Sequence, residues 1–187
     1  MFKRKPVETN GQRGEPYAVE TTNLTKIFQR RWIAANSISF KIPKGSVFGL
    51  VGPNGAGKST TLRLILGLLH PTAGEVKVFG ETMSLSTGHL RRRIGYLPQG
   101  EHYPKNLTPI NYLELVGKLR GMPRKECHRR ISSLLHAVDL LGAASTRIGN
   151  LSAGMTTRMA IAASMVNEPD LLLWDEPTAG LDPTGRK

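Results

Sequence analysis

Gly52, Pro53, Asn54, Gly55, Ala56, Gly57, Lys58, Ser59 and Thr60 follow one another between an apolar run at 47–51 and a helical pattern that begins at Lys58. Consecutive backbone N–H groups in such a loop can turn inward onto phosphate oxygens, a lysine can reach the outer phosphates, and a hydroxyl next to it can ligate Mg2+. Glycines at 52, 55 and 57 permit backbone angles and close approaches that a Cβ would forbid. A helix leaving the loop points its positive dipole end at the bound anion. Strand, glycine loop, lysine, hydroxyl and helix in that order predict a cradle for a nucleoside triphosphate.

A second chemical cluster lies far along the chain, where Asp175 and Glu176 follow the apolar run 171–174. Adjacent acids at a strand end can serve different tasks, because side chains alternate there. Both apolar runs suit strands of a parallel sheet buried on two faces, and such sheets place ligands beyond their carboxyl ends. The two polar clusters are therefore expected to converge on one edge of a sheet.

The elements that must position them can be read around these anchors. Short strands are predicted at 18–22 and 38–42, with a Pro43-Lys44-Gly45 turn, and a helix over 58–69 that stops at His70-Pro71. Residues 75–79 alternate like an edge strand, and 93–98 form another short strand. Thr108 can cap a helix whose first position is Pro109, Gly121-Met122-Pro123 separates a second helix, and Ser152 starts a third that runs through Met165. No internal repeat or sustained heptad pattern is present.

The 187 residues suffice for one domain carrying a small inserted subdomain. Cys127 is the single cysteine, so no intramolecular disulfide can form, and a cytosolic setting fits. Residues 1–15 read as a disordered basic tail. No apolar run is long enough to cross a bilayer, so service to a membrane would require a partner. The net charge of +12 asks for an anionic neighbour. Its excess falls at Arg91, Arg92 and Arg93 and along Lys118, Arg120, Arg124, Lys125, Arg129 and Arg130, as solvated helix faces or a headgroup-facing surface. No aromatic residues alternate with these cations, so no nucleic acid partner is expected.

Five segments then stand in a telling order: the phosphate loop, Gln99 in Tyr96-Leu97-Pro98-Gln99, Leu151-Ser152-Ala153-Gly154-Met155, the run ending in Asp175-Glu176, and Ala179-Gly180-Leu181-Asp182. Together they resemble the nucleotide-binding subunit of ATP-binding cassette (ABC) proteins, over the chain from about Tyr17 to its end. The resemblance implies an α/β fold: a P-loop NTPase core with a mostly parallel sheet, a small antiparallel β subdomain, and a helical subdomain inserted at about 101–150, within an ATPase domain spanning 16–187.

It also implies roles. Asp175 resembles the aspartate that holds Mg2+ together with Ser59, and Glu176 the carboxylate that polarises the attacking water. Gln99 resembles the glutamine that touches metal and water as the helical subdomain rotates, making Glu176, Lys58 and Gln99 the catalytic set. Phe28 resembles the aromatic that stacks on adenine, with Trp32 as a competitor. Ser152 and Gly154 resemble signature residues that meet the γ-phosphate of a second cassette, and Asp182 the aspartate that communicates across that interface. ATP and Mg2+ are the implied ligands. The implied partners are a second cassette and a separate multi-span permease, with the chain peripheral on the cytoplasmic face of the membrane.

Two departures qualify this pattern. The signature of the family reads Leu-Ser-Gly-Gly-Gln, whereas Ala153 and Met155 stand here; methionine resembles the drug, polysaccharide and lipid export branch, and the Ala153 methyl predicts weaker sandwiching of ATP. The family also continues past the aspartate loop into a further core strand and a histidine that contacts the γ-phosphate. All five histidines here precede Asp175, so the chain resembles a C-terminally truncated cassette with exposed sheet edge and poor solubility. The expectation is an ATPase subunit powering a membrane exporter. The alternatives are a soluble cassette ATPase acting on ribosomes or DNA, and a nucleotide-binding fragment without turnover.

Overall fold

A computed structural model describes residues 15–29, 31–100 and 103–177 of the chain. Residues 1–14 of the predicted tail, and Asp182, lie outside the described residues. The longest strands come first: β1 (Tyr17–Phe28) and β2 (Trp32–Pro43) form an antiparallel pair, each 12 residues long rather than the five expected. The sequence pattern breaks at Asn23 and Ser37, but both take positive φ (47° and 49°) and are absorbed as irregularities in the register. Asn23 tolerates that conformation, and its side-chain oxygen accepts from the Ser37 and Ser39 hydroxyls. Pairing therefore resumes on the far side of the break.

The other edge of β1 pairs with β3 (Ala73–Val78), which pairs in turn with the short β4 (Glu81–Thr82), giving the order β2-β1-β3-β4. The segment expected at the edge is thus an inner strand. Its hairpin turns through Phe79 and Gly80, both with positive φ as a two-residue hairpin loop requires.

Helix α1 (Lys58–Ile65) is shorter than its apolar pattern suggested. Gly67 takes φ 63°, its N–H donates to the Leu64 carbonyl and that of Leu68 to Arg63, which ends the helix in a Schellman motif before Leu69. Helix α2 (Gly88–Arg92) leads into β5 (Ile94–Leu97), which pairs in parallel with β6 (Leu171–Trp174). The parallel part of the structure thus contributes two strands among the described residues, beside the four antiparallel ones.

Residues 47–51, expected as a strand, have no ladder partner among the described residues and form no regular element. An apolar run sets a preference for a buried strand, whereas the strand itself needs a second backbone to bond. Val47 and Val51 are fully exposed here, while Phe48 stacks on Phe40 with ring centroids 5.3 Å apart.

Between β5 and β6 the chain forms α3 (Pro109–Leu119), α4 (Arg124–Ala137) and α5 (Ala153–Ser164). The predicted caps hold: Thr108 Oγ1 accepts from the Asn111 N–H, and Ser152 Oγ from the Met155 N–H at 3.2 Å. Two hydrophobic cores result. One joins the antiparallel sheet to α1, α2, β5 and β6 through Val19, Leu24, Leu64, Ile65, Leu90 and Leu173. The other belongs to the helices and packs Leu113, Ile131, Leu135, Leu140, Met159 and Val166. Each such side chain contributes about 2 kcal/mol on burial, so the helical region has a core of its own.

Candidate nucleotide site

The phosphate loop is shaped by a contact that the sequence does not announce. Gly57, the residue capping α1, has φ 87°, and a Cβ there would sit 1.7 Å from the Ala34 carbonyl oxygen of β2. Gly55 also has a left-handed φ of 82°. Together they bend the loop over the start of α1 and press it against the antiparallel sheet. The Ala56 N–H donates back to the Pro53 carbonyl, and the Thr61 hydroxyl to the Gly57 carbonyl, closing the bend.

Lys58 folds over this loop. Its Nζ donates to the Gly52 carbonyl at 2.8 Å and the Pro53 carbonyl at 3.1 Å, and lies 3.8 Å from Glu176 Oε1. A cavity of about 340 Å³ opens beside it, lined by Asn54, Gly55, Gly57, Lys58, Ser59, Thr60, Trp32, Gln99 and Glu176. Its lysine, hydroxyls and exposed loop suit a polyphosphate, with Trp32 as the one aromatic wall.

The far side of the cavity is a side-chain pair. Gln99 Nε2 donates to Glu176 Oε2 at 2.5 Å. Glu176 has φ 50°, a left-handed conformation rarely held by a residue with a side chain and often found at functional positions. β6 delivers it there: the Asp175 N–H extends the β5–β6 ladder by donating to the Leu97 carbonyl at 2.8 Å, and the chain turns immediately after. The two acids therefore part, as expected from their adjacency.

Asp175 is 4% exposed, and its Oδ2 is buried without a hydrogen-bond partner among the described residues. It lines a second, smaller cavity of about 130 Å³ together with Gln99, Glu176, Tyr103, Thr156 and Thr157. Gln99 and Glu176 border both cavities, so their hydrogen bond forms the wall between them. The orphaned Asp175 carboxylate oxygen, the Ser59 hydroxyl and the Gln99 amide oxygen are each hard oxygen donors of the kind Mg2+ prefers, although Asp175 lines the smaller cavity and Ser59 the larger. The donor chemistry of the three thus suits the metal, and Gln99 is the residue among them that borders both cavities.

Most of the predicted residues converge. Phe28 does not line the cavity; it packs behind Trp32, centroids 5.9 Å apart, with Lys26 Nζ 5.2 Å above its ring. Trp32 is 61% exposed and faces the loop. Ser152 and Gly154 lie at the start of α5 and line neither cavity. Sequence reasoning missed Thr156 and Thr157, whose hydroxyls donate to the Ser152 and Ala153 carbonyls as ordinary helix residues do. Only the approach of α5 to the end of β6 marks them.

Comparison with known proteins agrees with this geometry. The sequence profile described as ABC transporter matches residues 35–179. The chain is 39% identical to Nod factor export ATP-binding protein I of Burkholderia lata over 90% of its own length and 55% of that protein's. It is 40% identical to the protein of that name from Ralstonia nicotianae, over 81% of the chain and 47% of the relative. The chain thus spans about half the length of the curated relatives it matches. Among solved structures, the ATP binding subunit of an ABC transporter superposes with a TM-score of 0.80 at 30% identity, covering 90% of this chain and 70% of that one. A nucleotide-free ATP-binding cassette from an ABC transporter shares the fold at a TM-score of 0.78 and 23% identity. On this profile match and this shared fold, the chain belongs to the ABC transporter family.

Proposed function

We propose that this chain is the ATP-binding and ATP-hydrolysing subunit of a membrane exporter, two cassettes closing on two Mg-ATP. The observation that carries the reading is the run of contacts from Lys58 through Glu176 to Gln99, which ties the phosphate loop, the end of β6 and the entrance to the helical region into one unit. Export is supported by the names of the relatives and by Met155 in the signature segment.

The chain's residues would divide the work as follows. Lys58 exchanges the neutral Gly52 and Pro53 carbonyls for anionic phosphate oxygens, so that a cation–dipole bond becomes an ion pair. The backbone N–H groups of the loop and the first turn of α1 hold the remaining oxygens. Mg2+, held by Ser59 and Asp175 with Gln99 near it, would neutralise charge that develops on the phosphates. Glu176 orients a water and takes its proton, and Gln99 reports to the helical region whether that carboxylate is engaged. Trp32 offers its face to the base, with Phe28 behind it. Ser152 and Gly154 would complete the site of a second copy, as would Asp182.

The helices from about residue 101 to 150 would press on a separate permease near Tyr103 and Pro104, with the cassette peripheral on the cytoplasmic face. No helix among the described residues is long and apolar enough to cross a membrane. Replacing Glu176→Gln should lower ATP hydrolysis by about a hundredfold or more while ATP binding is retained. Undiminished turnover in that variant would sink the role of Glu176.

A further inference from the structure

Arg91, Arg92 and Arg93 join α2 to β5, and β5 runs directly into Gln99. Every carbonyl of this corner is held. Arg120, the residue that caps the C-terminus of α3, brings its guanidinium into it: Nη1 donates to the Arg91 carbonyl at 2.5 Å and the Ile94 carbonyl at 3.1 Å. The Arg92 carbonyl accepts from the Asn167 side-chain amide. The Arg93 carbonyl accepts from the Asp170 and Leu171 N–H groups at the start of β6.

Arg120 is an expensive residue for this place. Its side chain is half-buried, burial pushes its pKa below the ordinary arginine value, and no described carboxylate pairs with it. An apolar side chain would fill the same space without the desolvation cost, so what the guanidinium adds is a rigid, directional grip on two carbonyls. Those carbonyls flank Arg92 and Arg93, the corner that leads into β5, and β5 is the strand that precedes Gln99. The position of Arg120 is itself fixed, because α3 ends immediately after it in a Schellman motif: Gly121 takes φ 81°, its N–H donates to Lys118 and that of Met122 to Gly117.

We infer that Arg120 is a positioning residue for Gln99: it fastens α3 to the root of β5, so that the placement of the helical region sets where Gln99 meets Glu176. This rests on the ATPase reading above, and the test separates the two. In the full chain, Arg120→Met should lower kcat about tenfold while the Kd for ATP stays within about twofold, since the phosphate loop is untouched. In a Gln99→Ala background the same change should cost no more than about twofold further, because both act through one contact. Additive losses, or an equal loss of ATP binding, would overturn the inference.

A second readout needs no turnover. Amide hydrogen exchange at Tyr96, Leu97 and Gln99 should quicken about tenfold or more in Arg120→Met while Leu64 and Ile65 of α1 keep their protection. Uniform acceleration would reduce Arg120 to a general stabiliser and overturn the proposal. Arg120→Lys, which keeps the charge but not the planar fork, should fall between the two chains in both measurements, and it carries the test where the methionine variant does not fold. If the unaltered chain binds ATP without hydrolysing it, the ATPase reading fails and the exchange measurement alone decides the role of Arg120.

Discussion

Gln99 Nε2 sits 2.5 Å from Glu176 Oε2, although 77 residues separate the two in sequence, and the other carboxylate oxygen of Glu176 lies 3.8 Å from Lys58 Nζ. One carboxylate therefore faces both the phosphate loop and the entrance to the helices. A carboxylate held between a cation and an amide donor has its two oxygens directed before any substrate arrives. In Gln99→Ala the Lys58 contact remains while the second anchor is lost. ATP hydrolysis should fall about tenfold to a hundredfold with KM changed by less than about threefold, measured as phosphate release under saturating Mg-ATP. A rise in KM with kcat intact would mean that Gln99 serves binding alone.

Gly57 is the position where the loop has least room. Alanine there must adopt φ 87° and would bring its Cβ into the Ala34 carbonyl. A left-handed residue with a Cβ costs about 1–2 kcal/mol by itself, and the clash adds to it unless the loop lifts off β2. Gly57→Ala should therefore lower stability by more than about 2 kcal/mol or abolish ATP binding, read by thermal unfolding with and without ATP. Gly45, whose added Cβ would meet nothing within 4 Å, is the control with the same backbone sign and no steric conflict.

Trp32 faces the cavity and Phe28 supports it, so the two rings should contribute unequally to base recognition. Stacking of a base on an aromatic side chain contributes about 1–3 kcal/mol by alanine substitution. Trp32→Ala should weaken ATP binding by roughly fivefold or more, and Phe28→Ala by less, since its effect passes through the Trp32 ring. Tryptophan emission provides a direct reading: ATP should quench it in the unaltered chain, and Trp32→Phe should remove that quench although Trp174 remains.

These residues also mark where sequence reading works. The phosphate loop, the Thr108 and Ser152 caps and the strand before Asp175 were legible because each depends on local chemistry: glycines, a hydroxyl before a helix, an uninterrupted apolar run. The choice between Phe28 and Trp32 was not legible, because the register of a hairpin decides which ring faces the loop. The pairing of residues 47–51 was overestimated for the same reason: a strand is a relation between two backbones, and the run records only one. Helix α1 lost its last residues to Gly67, a stop signal masked by the leucines around it.

Cys127 tests the second core. Its thiol is 5% exposed within the helical cluster, and burial, assisted by the nearby Glu114 carboxylate, pushes its pKa up. A raised folded value means that the neutral thiol is favoured by the fold. The stability it contributes is fully present below the pKa of the unfolded thiol and is lost as pH rises through the raised folded value. Alkylation at pH 8 should accordingly be slow in the folded chain and reach the rate of a free thiol only on unfolding. Gly117 of α3 supplies the space for this sulfur, since a Cβ on it would sit 2.3 Å from Cys127 Sγ. Gly117→Ala should cost about 1–3 kcal/mol by overpacking and speed alkylation by the corresponding factor, while Gly117→Ala combined with Cys127→Ala should recover most of the loss. If the double variant is no more stable than the single one, the close approach of α3 and α4 at this point is not what the small residue at 117 provides.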